Sequence, residues 1–161
     1  MKQFKIEIKW AVVFMIASIV WTVIEKMAGF HDIRIHQQVM FSALFAIPAI
    51  AIYVLMLREK KQKYFNGNMS WQQGFISGIF LAVFVAVLSI VAQFISYTFI
   101  SPEFFPNMIK YTVNSHRMTE EVAQANFNLQ SAVKRGVFDA LSYGVLTSAI
   151  VALFVKTKTP N

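Results

Sequence analysis

The chain has 161 residues; 57% are hydrophobic, 14% are charged, and none is cysteine. Soluble domains carry about 25% charged residues, so this composition excludes an ordinary water-soluble domain and points to a bilayer as solvent. The missing cysteine excludes disulfides and thiol chemistry, and the length sets one domain as the expectation. The formal net charge is +7, which on its own would admit a nucleic-acid ligand. The way the charge is distributed argues against that reading.

Residues 1–9, MKQFKIEIK, bring Lys2, Lys5 and Lys9 against Glu7. An apolar run follows and predicts a first span over 10–28. A basic start before an apolar run resembles a secretory leader, but this run is too long and no small-residue cleavage site follows. A retained helix is expected. Glu25 and Lys26 fall at its far end, where long side chains reach the interface. A polar connection, GFHDIRIHQQ, leads to a second span over 39–57, with Pro48 expected to kink it by removing a backbone donor. The basic loop REKKQKYFNGNMS closes this half. Its Asn68-Met69-Ser70 triplet matches a glycosylation sequon but lies on the side assigned to the cytoplasm.

Trp71 to Ile100 is a long apolar run that no charge interrupts. A helix of that length reaches about 45 Å, against a hydrocarbon core of about 30 Å, so its end is predicted to project. Pro102 stops it by forcing Ser101 out of the α region. Gly74 and Gly78 stand four apart, a spacing that lets two helix backbones approach closely, within the chain or in a homodimer. The segment 101–135 is amphipathic, and Pro106 is expected to break it again. Thr119 is an N-cap candidate with Glu120 and Glu121 in the first turn. The spacing of Val122, Ala125, Leu129, Ala132 and Gly136 predicts one helix running into a fourth span over 136–155. The third and fourth helices are thus expected to extend together beyond the outer membrane face.

Four spans put both termini on one side. The arm, the 58–70 loop and the tail hold nine Lys/Arg with Glu7 and Glu59, whereas the other side holds six Lys/Arg and six acids. The positive-inside rule places both termini in the cytoplasm, and the basic face is suited to anionic headgroups. Trp10, Tyr64 and Trp71 fit an inner aromatic belt; Tyr97, Phe99, Phe104 and Phe105 fit an outer one.

Few polar residues remain to carry function. Asp139 lies one turn into the fourth span, and an intramembrane carboxylate is a functional hypothesis by default. The competing reading is an i,i+4 pair with Arg135. Glu25 lies at similar depth and is a candidate partner for Lys134 or Arg135. Gln93 and Tyr143 complete a set that would surround a small polar pocket, with Ser142 and Gly144 beside it; Gly144 alone would instead mark a close helix contact. His31, Asp32, His36 and His116 fall in outer segments. Their spacing fits no metal framework, and solvent-exposed histidines are expected. No nucleophile elbow, P-loop or dinucleotide fingerprint occurs, so no catalytic residue and no cofactor is proposed.

With those residues in view, the chain resembles the DUF 4199 family of small bacterial membrane proteins. The likeness rests on the basic start and first span, on NMSWQQGFISG with Gly74 and Gly78, on YTFISPEF, and on VFDALSYGVLTSAIVALFVKTK. It implies four spans and the bacterial inner membrane, and it carries no activity or site residues. The expectation is an all-α four-helix bundle with no enzymatic role. It would act through helix contacts with itself or an unknown membrane partner. The alternative is a small transporter or lipid- or small-molecule-binding protein with a polar pocket near Asp139.

Overall fold

The computed structural model describes residues 4–157; Lys2 and the tail from Lys158 onward lie outside the described residues. The described chain is helical: α1 (Lys5–Met27), a 3-10 turn (Ile35–Gln37), α2 (Gln38–Ala43), α3 (Ala46–Lys63), α4 (Trp71–Ile95) continued by a π turn (Ser96–Ile100), α5 (Phe104–Asn114), α6 (Glu120–Asn126) and α7 (Leu129–Val155). Four stretches are long and apolar enough to cross a membrane: Lys5–Met27, Ile35–Lys63, Trp71–Ile100 and Leu129–Val155. Large apolar side chains cover their outer faces, among them Ile16, Val20, Ile47, Val87, Phe138 and Phe154. So much exposed apolar surface suits lipid and would aggregate in water.

The bundle is built around the α4–α7 pair, and small residues set its closeness. A Cβ on Gly78 would overlap Ser148, and one on Gly144 would come within 2.6 Å of the Ala82 Cβ. Gly74 faces Ala152 with slightly more room, an added Cβ lying 3.2 Å from the Ala152 Cβ. The Gly74–Gly78 seam is therefore filled by α7 of the same chain, and Gly144 is its counterpart on the opposite helix. Helix α1 packs on α4, and α3 packs on both α7 and α1. The core where they meet includes Tyr53, Met56, Leu57, Leu81, Val85 and Val151.

The start of α4 is fixed by a capping box. Ser70 accepts from the Gln73 backbone N–H while the Gln73 side chain accepts from the Ser70 backbone; two orphan donors are satisfied at once. Thr157 then ties the end of α7 to this loop through Met69.

Pro48 lies near the middle of the Ile35–Lys63 span, and the span breaks at Leu44–Phe45, one turn before this residue that lacks an N–H, as expected. Two other expectations about helix breaks are corrected. Pro106 lies in the first turn of α5 and breaks nothing. The segment from Thr119 into the fourth span is not one helix. Thr119 caps α6, but the helix stops at Asn126. Asn128, extended at φ −147° and ψ 165°, caps α7 by accepting from the Ser131 N–H. The interruption lets Phe127 pack against a small core of Ile35, Phe104 and Met108, and that burial outweighs helix continuity. These residues form a cap over the bundle end opposite the basic loop.

Candidate functional site

A cavity of about 920 Å³ opens between α1, α2–α3, α4 and α7. It exists because helix α2 packs on α1 and on the 3-10 turn rather than closing on α7. Asp139, Tyr143 and Gly144 line it from α7, Gln93 and Ser96 from α4 and its π turn, Tyr53 from α3 and Ser42 from α2. Ser142 is exposed and is not part of the lining.

Asp139 is exposed at this cavity and is not paired with Arg135. Among the described residues no hydrogen bond or ion pair to Asp139 is formed. The Arg135 guanidinium instead donates to the Asn126 carbonyl at 2.8 Å and lies 5.9 Å from the Phe127 ring centre. The break before α7 creates this anchor, because it leaves the Asn126 carbonyl free of a helical partner. Gln93 donates to the Ala132 carbonyl at 3.1 Å and leans over Gly136, where any side chain would overlap it.

Tyr53 is buried overall, at 3% exposure, yet its hydroxyl meets the cavity lining and has no hydrogen-bond partner among the described residues. A buried hydroxyl is normally satisfied. No pattern marks Tyr53 in the sequence beyond its being the one tyrosine within its apolar span.

Glu25 does not reach Lys134 or Arg135. Helix α1 ends in a Schellman motif, with Phe30 N–H on the Glu25 carbonyl and Gly29 N–H on the Lys26 carbonyl. Gly29 takes φ +81°, a conformation that glycine adopts without strain. The chain folds back, and His31 returns to Glu25. His31 Nε2 lies 3.1 Å from Glu25 Oε2, and His31 Nδ1 lies 2.8 Å from Ser101 Oγ. Ser42, from the cavity wall, donates to the other Glu25 oxygen. His31 is thus buried, at 4% exposure, contrary to the expectation of a solvent-exposed histidine. His36 and His116 are exposed. No group of three metal-ligating side chains assembles among the described residues.

At the basic end a second, more open hollow of about 640 Å³ is bordered by Arg58, Lys61 and Lys156 beside Phe154 and Thr157. Lys61 donates to the last carbonyl of α7, that of Val155, at 3.0 Å. The last turns of α3 also make a contact that the sequence did not reveal: Glu7 and Lys60 form a buried ion pair between α1 and α3.

Residues 9–157 match the family described as a protein of unknown function, DUF4199. The chain belongs to that family. The match covers nearly the whole chain and agrees with the four apolar helices of a multi-pass membrane bundle. No curated protein and no solved structure matches this DUF4199 chain. Its chemistry has to be read from its own residues.

Proposed function

We propose that this DUF4199 protein is a non-catalytic protein of the bacterial inner membrane that binds a lipid or small molecule in the cavity beside Asp139. Both termini lie in the cytoplasm. The observation that carries this reading is the pairing state of Asp139. A carboxylate kept only for structure would be expected to hold Arg135; here Arg135 is anchored elsewhere and the carboxylate faces a cavity. The volume is that of a drug-sized ligand site, and the lining is the usual mixture of apolar walls with a few polar groups. An intramembrane acid at such a cavity marks a substrate path in many membrane proteins.

The orientation rests on charge. Arg58, Lys61 and Lys156 converge at one end, which favours the cytoplasmic leaflet and contact with its anionic headgroups. Nucleic acid is not a partner in this reading.

The test is to identify small molecules that co-purify with the protein in mild detergent, by mass spectrometry. Wild type is compared with Ala43→Trp, which puts a bulky ring at an exposed position of the cavity lining. A compound retained by wild type and lost from the variant supports the reading. Identical profiles would return the protein to the other proposal, action through helix contacts with itself or a partner.

A further inference from the structure

The cavity's lining also restricts the charge of its ligand. Among the lining residues Asp139 carries the sole carboxyl group, and no lysine, arginine or histidine contributes. Arg135, one turn away, is turned out toward Asn126 and Phe127. The remaining polar groups are hydroxyls and one amide. Several hydroxyls are occupied by their own helices: Ser18 donates to the Met15 carbonyl and Ser89 to that of Ala86. Tyr53 and Tyr143 have no hydrogen-bond partner among the described residues, and both face the cavity.

The mouth of the cavity is on the side of the bundle. Val39 and Leu146, on either side of it, are 75% and 59% exposed, and Tyr143 between them is 67% exposed. These residues belong to helices apolar enough to cross a membrane, so in the membrane placement proposed above the opening is on a lipid-facing side.

We propose, building on the binding role above, that the ligand is a single-chain amphiphile with a protonated amine head. The ammonium pairs with Asp139 and is flanked by the Tyr143 hydroxyl. The alkyl chain enters through the gap between α2–α3 and α7 and lies along the apolar wall toward Tyr53. Opposite charges matched in a low-dielectric setting give the strongest class of hydrogen bond. A carboxylate head would meet like charge, and an alcohol would gain no charge pairing.

The experiment uses the full chain in phosphatidylcholine nanodiscs, with protein-free nanodiscs giving the background partition. Equilibrium dialysis measures radiolabelled tetradecylamine, tetradecanol and tetradecanoate against wild type and Asp139→Asn. The amine is expected to bind saturably to wild type and about tenfold or more weakly to the variant, while the alcohol binds both alike. Equal binding of alcohol and amine to wild type, or unchanged amine binding by Asp139→Asn, overturns the charge assignment and leaves the cavity reading standing. Displacement of the amine by added phosphatidylethanolamine overturns the single-chain assignment. Saturable binding of none of the three probes, with Ala43→Trp behaving as wild type, removes both this inference and the binding role.

Discussion

Glu7 Oε1 lies 2.7 Å from Lys60 Nζ, joining α1 to α3, with the two side chains 1% and 4% exposed. The other carboxylate oxygen, Oε2, has no hydrogen-bond partner among the described residues, and Lys60 also stands 4.1 Å over the Tyr64 ring. Removing the cation strands a buried carboxylate, which costs about 3–5 kcal/mol, whereas replacing a whole buried pair by apolar groups is often neutral. Lys60→Met is therefore expected to lower stability strongly, and Glu7→Leu with Lys60→Met to recover most of the loss. Unfolding titrations in mixed micelles, followed by tryptophan fluorescence, check both. An unaltered midpoint for Lys60→Met would show that the pair contributes little.

The contact of Gly78 with Ser148 sets the spacing of α4 and α7. Gly78→Val is expected to destabilise the bundle by about 1–3 kcal/mol through overpacking. Gly74→Ala should cost less, since its added methyl meets Met69 and Ala152 atoms at 3.1–3.2 Å rather than overlapping them. Thermal melts in detergent rank the two variants. A melt for Gly78→Val equal to wild type would mean that the seam can open without loss.

Glu25 holds the cap end together through His31 and Ser42, and Asn107 of α5 donates to the His31 carbonyl at 3.0 Å. Glu25→Leu leaves those donors without their acceptor, a loss of about 1–3 kcal/mol per unsatisfied group. Faster hydrogen exchange is expected over residues 31–42 and 101–112, with α4 and α7 protected as before. Uniform acceleration along the chain would instead assign Glu25 to the global stability of the bundle.

Because the chain lacks cysteine, single cysteines report topology without interference. His116→Cys, beyond α5, is expected to react with a membrane-impermeant maleimide on spheroplasts. Asn66→Cys, in the basic loop, should react only after lysis. The reverse pattern would invert the proposed orientation.

Hydropathy is a sum over neighbours in the chain, so four apolar helices, the end of the third near Pro102 and the cap at Thr119 were legible from residues alone. The glycine spacing at Gly74 and Gly78 announced a close helix contact; only the fold shows that α7 provides it. The polar pairings were not legible, since they depend on which distant positions meet. Glu7 finds Lys60 one helix away, and His31 finds Ser101 across 70 residues. The separation of Asp139 from Arg135 is equally tertiary: at i,i+4 the two suit each other locally, but burying Phe127 breaks the helix and supplies Arg135 with the Asn126 carbonyl. Composition therefore determined the solvent and the number of spans, because lipid acts on each segment independently. Packing of α2 away from α7 decided that a cavity exists and that a carboxylate faces it.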